Sequence, residues 1–167
     1  SVGKPTDYYN EELLYKLFGV SAELLIDHAW GWEPCGISDI KSYRPETNSL
    51  CSGQVLKEPY TCEKARLALR EMADLMSLDL VGKGLVTDQL TLTIGYDVEN
   101  IKNPSRRKLY SGEITIDRYG REIPKHSHGT ENIGCYTSST RVIVEKMTAL
   151  FDRIVDKKLL IRRLNIC

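Results

Sequence analysis

Long hydrophobic runs are missing from this chain. No apolar stretch approaches the roughly 20 residues that a membrane-spanning helix requires, so no membrane partner is expected. No leader of basic residues followed by an apolar run opens it. The first residues, "SVGKPTDYYNEELLYKLFG", run straight into amphipathic helix, and the start is expected to be a cut through a larger protein. Closely spaced cysteine pairs are also missing. The five cysteines, Cys35, Cys51, Cys62, Cys135 and Cys167, are odd in number, widely spaced and form no C-x-x-C. That pattern argues against a zinc ribbon or a secreted disulfide framework, and predicts reduced thiols in a cytoplasmic protein. Low-complexity tracts and repeats are absent too, and the hydrophobic fraction of 41% is ordinary for a folded domain. A length of 167 residues fits one domain, or one domain with a piece of another.

The chemical motifs of enzymes are equally scarce. Ser52, Cys51 and Cys62 are candidate nucleophiles, but no G-x-S-x-G surrounds them and no base can be assigned to them. The segment "VGKGLV" lacks the spacing and the Ser/Thr of a phosphate-binding Walker loop. Glu63, Glu71 and Asp74 recur on a helix whose solvated face explains them. No catalytic residue is therefore assigned.

What the chain does carry is an uneven charge. Residues 1–100 hold 9 Lys and Arg against 16 Asp and Glu, while residues 101–167 hold 14 against 7. A formal net charge of zero thus conceals an acidic half and a basic half, and a basic half supplies the electrostatic footprint that phosphate binding needs. The basic clusters are Arg106-Arg107-Lys108, Arg118 with Arg121, Lys125, and Lys157-Lys158 with Arg162-Arg163. Arg162 and Arg163 lie inside an otherwise apolar strand. Neighbouring strand residues face opposite sides, so at most one of the two stands on a given sheet face.

Two of the three histidines fall in "PKHSHG". In extended backbone His126 and His128 point to one side, which suits a metal pair and equally suits a surface facing an anion. A metal site needs further ligands, and neither Cys135 nor His28 stands at a usual zinc spacing. Donors toward an anionic partner, with Lys125 beside them, are the better reading, and such binding strengthens as the pH falls and the imidazoles gain charge.

Periodicity organises the rest. Leu13, Leu14, Leu17 and Phe18 recur at helical spacing, and Ser21 is a candidate N-cap for a second helix ending near Gly31. The Gly19-Val20-Ser21 turn between them can aim N–H groups at a phosphate. From Glu33 to Thr47 periodicity lapses, which reads as an extended connector. Then "SLCSGQVL" (49–56) is a strand candidate stopped by Pro59, and Thr61 caps a helix with Ala65, Leu69, Met72 and Met76 on one face. "QLTLTIGY" (89–96) alternates strictly, placing Leu90, Leu92, Ile94 and Tyr96 opposite Gln89, Thr91, Thr93 and Gly95. A basic loop and a hairpin turning at Tyr119-Gly120 fill residues 100–125. An extended segment from Lys125, a helix started by Ser138 or Ser139 with Ile143, Met147, Leu150 and Ile154 on its core face, and the strand "KLLIRRLNIC" complete the order. The fold class is α+β: a β-α-β-β-α-β four-stranded sheet with two helices on one face, an inserted hairpin and a preceding helical segment. The other sheet face is polar and open.

Together these stretches carry a family likeness. "LLYKLFGVSAELLIDHAWGWEP" resembles the end of the thumb of Y-family translesion DNA polymerases, "SLCSGQVL" the start of their little finger, and "LIRRLNI" the strand that ends it. "DRYGREIPKHSHGTENI" is similar to an insertion in the UmuC-like, ImpB/MucB/SamB branch. The resemblance implies a thumb piece at 1–33, a linker at 34–47 and a little finger at 48–167. It implies a bacterial cytoplasmic protein of the SOS response and DNA damage tolerance. In that family the palm carries Mg2+ and nucleotidyl transfer, and this stretch contains no palm, so no cofactor is expected in it. DNA is the implied partner, gripped through the duplex backbone. The implied contacts are Gly19, Val20, Ser21, Ser49, Ser52, Gln54, Thr91, Thr93, Arg162 and Arg163, joined by Arg106, Arg107, Lys108, Lys125, His126 and His128. A sliding clamp is a further partner of the family, through a segment outside this sequence. A protein-interaction module using the open sheet face or Leu13, Leu17, Trp30 and Trp32, with self-association through those helices, is the alternative, and a zinc-dependent hydrolase a more distant one.

Overall fold

A computed structural model of the chain describes residues 8–43 and 49–167. It divides into two units, Ser1–Asn48 and Ser49–Cys167.

In the first unit, α1 (Tyr8–Phe18) and α2 (Ser21–Ala29) flank a tight turn. Gly19 adopts φ +57°, a left-handed conformation that costs glycine nothing, and its amide closes α1 onto the Tyr15 carbonyl at 2.8 Å. The expected Ser21 N-cap is corrected. Ser21 is the first helical residue, Val20 occupies the cap with helical dihedrals, and no side chain caps the helix. The connector is not wholly extended either: α3 (Ile37–Ser42) sits inside it, with Asp39 Oδ2 accepting from the Gly36 amide at 2.8 Å. Six residues are too few to leave a periodic trace, which is why the sequence reads as a linker there.

The second unit is built on a four-stranded antiparallel sheet in the order β1-β6-β2-β5. Its strands are β1 (Ser52–Tyr60), β2 (Thr87–Tyr96), β5 (Ser127–Thr137) and β6 (Ile161–Ile166). The helices α4 (Cys62–Gly82) and α7 (Thr140–Ile154) cover one face. The first and last strands lie side by side, and each helix links two parallel strands with another strand between them, the split β-α-β arrangement. Thr61 Oγ1 accepts from the Lys64 amide at the start of α4, satisfying one of the helix's orphan donors. Ala65, Leu69, Met72 and Met76 of α4 and Ile143, Met147, Leu150 and Phe151 of α7 are buried on the sheet. There they meet Leu90, Leu92 and Ile94 of β2 and Ile161, Leu164 and Ile166 of β6.

Three expectations change here. Pro59 does not stop β1, which continues to Tyr60. The strand is an edge strand with a register shift between Val55 and Tyr60, and an edge position tolerates a residue without an N–H. The basic loop is partly helical, forming α5 (Glu99–Lys102) and α6 (Pro104–Arg107) before the hairpin of β3 (Ile114–Ile116) and β4 (Glu122–Pro124). Pro104 opens α6 and Asn103 Oδ1 accepts from the Ser105 amide at 3.0 Å, two local signals for a short helix. Lastly, Cys51 and Cys167 are not reduced: they are joined as a disulfide across β1 and β6.

A polar knot fixes the base of the insertion. Asn100 is fully buried; its Nδ2 donates to the Asp97 and Leu160 carbonyls (2.9 and 2.8 Å), and its Oδ1 accepts from the Leu160 amide at 2.8 Å. Beside it the Tyr96 hydroxyl accepts from the Asp156 amide (2.8 Å) and bonds Ser127 Oγ (2.7 Å). Burial, more than any neighbouring charge, pushes that phenol above its ordinary range.

Candidate nucleic-acid interface

Alternation along each strand decides which residues escape the helices. Leu92, Ile94, Leu164 and Ile166 are buried under α4 and α7, so Thr91, Thr93, Gly95, Arg163 and Asn165 face the other way. The register arranges this open face in rows across the sheet. The middle row reads Gly53, Asn165, Thr93, His128, and the next reads Val55, Arg163, Gly95. A further row joins Cys167, Thr91 and Thr130: Thr91 and Cys167 exchange backbone hydrogen bonds at 2.8 and 2.9 Å.

The side chains of these rows also bond one another. Thr93 Oγ1 lies 2.9 Å from His128 Nδ1, and Thr91 Oγ1 lies 3.5 Å from Thr130 Oγ1. Gly95 matters for shape: a Cβ there would stand 3.2 Å from Arg163 Cβ, so glycine gives the arginine stem its place. No side-chain carboxylate stands on these rows. Among the described residues Arg163 forms no ion pair. The face therefore offers hydroxyls, an amide, an imidazole and one uncompensated guanidinium, a donor-rich surface suited to phosphate oxygens.

Arg162 and Arg163 separate as alternation requires. The irregularity in register beside Ile161 turns Arg162 to the end of the sheet, where Nη1 donates to the Lys57 carbonyl at 3.1 Å and Nε lies 3.8 Å from Asp97 Oδ2. Ser52 and Gln54 are not brought to the open face. They pair with Ile166 and Leu164, which face the helices, and line a hollow of about 420 Å³ with Met72, Leu75, Met76 and Asp79. The reason is parity: on β1 the residues that share the open face are Gly53 and Val55, one position out of phase with Ser52 and Gln54. Ser49 is exposed ahead of β1. In the first unit the Gly19 amide is spent on the Tyr15 carbonyl (2.8 Å) and the Ala22 and Glu23 amides that follow the turn on the Gly19 and Val20 carbonyls (3.0 and 3.2 Å), which leaves fewer N–H groups there for an anion.

The insertion carries the remaining basic residues. His126 precedes β5 and is exposed, as is His128. Lys125 is paired with Glu113 at 2.6 Å, and that hydrogen bond raises the ammonium's pKa. Arg107 Nη1 donates to the Tyr110 carbonyl at 2.7 Å, whereas Arg106 and Lys108 form no ion pair among the described residues. At the hairpin tip Arg118 and Arg121 stand 4.8 and 5.0 Å from the Tyr119 ring centre, and Arg121 pairs with Asp117 at 2.7 Å. The Arg121 guanidinium, ahead of two backbone amides, holds the Asp117 carboxyl below its ordinary range. Among the described residues no three His, Cys, Asp or Glu side chains converge as a metal site.

Sequence reasoning missed Asn165, Thr130 and Asn132. The signal was present: Asn165 is two residues beyond Arg163, and Thr130 and Asn132 continue the period of two begun by His126 and His128.

Residues 47–167 match the family model described as the impB/mucB/samB family C-terminal domain. No curated protein matches the chain significantly.

Proposed function

The chain belongs to the impB/mucB/samB family of Y-family DNA polymerases, whose C-terminal domain it carries, and from that membership we propose that its open sheet face holds duplex DNA by the backbone. The observation that supports this reading is a face whose rows carry no side-chain carboxylate, with Arg163, which forms no ion pair among the described residues, in the row beside Asn165, Thr93 and His128. A polymerase that copies damaged templates gains from contacts that ignore base identity, and phosphate contacts do so. Arg106, Lys108 and His126 extend the donor set beyond the sheet, while Lys125 competes with its own Glu113 and Arg162 with the Lys57 carbonyl and Asp97. Nucleotidyl transfer and its Mg2+ belong to a palm, so the part played here in lesion bypass and DNA repair is to grip.

The expected binding is weak, independent of sequence and salt-sensitive. Titrating a fluorescent random-sequence duplex at several salt concentrations gives a falling line of log K against log salt. A flat line, or no binding at low salt, overturns the reading.

A second reading is a protein-interaction module that works through the first unit. Leu13, Leu17, Trp30 and Trp32 are 52, 63, 61 and 63% exposed, the kind of apolar surface that another protein segment covers. Concentration-dependent sedimentation that Leu17→Lys abolishes supports self-association by this route; a monomer at all concentrations rejects it.

A further inference from the structure

One end of the open face terminates in sulfur. Cys51 immediately precedes β1 and Cys167 immediately follows β6, and the register that pairs Ser52 with Ile166 sets them opposite each other. Their Cα atoms are 4.1 Å apart and the two side chains are bonded. Cys167 directs its amide and carbonyl toward Thr91, so toward Cys51 it presents a non-hydrogen-bonded position, where cross-strand side chains approach most closely. By alternation from Gly53 and Asn165 both sulfurs lie on the open face, and both residues are exposed. The other three cysteines stand apart: Cys35 and Cys135 are exposed and free, and the Cys62 thiol is half-buried, with burial raising its pKa.

We propose that Cys51 and Cys167 are a reversible thiol–disulfide modification site. A disulfide open to solvent is attacked by external thiolates, whereas one sealed in a core is not, so accessibility marks this pair as exchangeable. In the forward step two S–H bonds break and one S–S bond forms. Two electrons and two protons pass to the oxidant: hydrogen peroxide leaves as two waters, or a low-molecular-weight disulfide as two thiols. Two thiols reverse the step. The bond spans 116 residues of sequence and ties the start of the edge strand β1 to the end of β6. Closure therefore removes freedom from the unfolded chain and from β1, which only β6 otherwise holds within the sheet.

The test needs no nucleic acid, so its outcome is separable from that of the binding proposal. The 167-residue chain is equilibrated in glutathione buffers from reducing to oxidising, then alkylated with iodoacetamide and weighed. Five labels are expected in reducing buffer and three in oxidising buffer, with a Cys51–Cys167 peptide in the digest. The oxidised form should melt about 5 °C higher or more, and dithiothreitol should return it. A Cys51→Ser, Cys167→Ser variant should carry three labels and one melting temperature in every buffer. Five labels throughout, glutathione adducts without the link, a link through another cysteine, or a bond that survives the reducing buffers overturns the proposal.

Discussion

The two faces of one sheet share strands but not rules. On β2, Leu90, Leu92, Ile94 and Tyr96 are no more than 5% exposed, while the residues between them, Thr91, Thr93 and Gly95, are half-buried on the face that α4 and α7 leave open. The covered face is apolar and interchangeable in detail, because burial of each such side chain stabilises by roughly 1.5–3 kcal/mol wherever it packs well. The open face is polar and free of side-chain carboxylates on its rows, and its hydrogen-bonding groups are fixed in position by the strand register. Burial and exposed hydrogen-bonding capacity are thus written into alternate residues of the same segment, and a slip of one residue in register would exchange them.

The largest effect should come from breaking the covered face. Leu92→Ala removes a side chain with no exposure and should cost about 3 kcal/mol by urea denaturation, whereas Thr93→Ala, its neighbour on the other face, should stay within about 0.5 kcal/mol. Equal costs would erase the distinction between the faces. Next in size is the polar knot. Asn100→Ala leaves the half-buried Leu160 amide without its partner and should cost about 2 kcal/mol. A change below about 0.5 kcal/mol would mean that the base of the insertion is held by other contacts.

Much of the covered face was legible from the amino acids alone. Strict alternation in "QLTLTIGY" and helical spacing from Ala65 to Met76 and from Ile143 to Leu150 announce which residues are inside, because burial leaves a period. The open face was legible strand by strand but not as a surface. Thr91 and Thr93 stand opposite the buried residues of β2 as alternation puts them, while the choice between Arg162 and Arg163 and the facing of Ser52 and Gln54 depend on pairing register, which no local pattern encodes. The meeting of Cys51 with Cys167 is the same kind of fact, a contact between residues 116 apart in sequence. Short helices such as α3 and α6 escape for the opposite reason, having too few residues to repeat anything.

A smaller effect sharpens the comparison from the open side. Arg163→Ala should lower affinity for a random-sequence duplex about tenfold at low salt and reduce the salt slope by about one, with unfolding unchanged within about 0.5 kcal/mol. The control is Arg162→Ala, whose guanidinium is committed to the Lys57 carbonyl and the neighbourhood of Asp97 and should matter less for binding. If the two variants lose affinity equally, position on the face is not what counts.

The smallest effect concerns acid, and it should fall on the covered side. Glu131 sits on β5 opposite Leu90, turned toward α7, where Arg153 Nη1 donates to it at 2.7 Å and Lys146 Nζ stands 3.6 Å away. The hydrogen bond from Arg153, followed by the charges of Arg153 and Lys146, holds its carboxyl below the ordinary range against the opposing influence of burial. A carboxyl depressed in the folded state binds a proton less readily there than in the unfolded chain. Its contribution is therefore complete above the unfolded value of about 4.3 and disappears as the pH falls through the lower folded value. Wild-type stability should decline from about pH 5 downward, and Glu131→Gln should decline less steeply while starting lower. The open-face rows hold no side-chain carboxylate, so His128→Ala and Thr93→Ala should leave this acid limb unaltered. A limb that moves with His128 and not with Glu131 would place the acid-sensitive contact on the wrong side of the sheet.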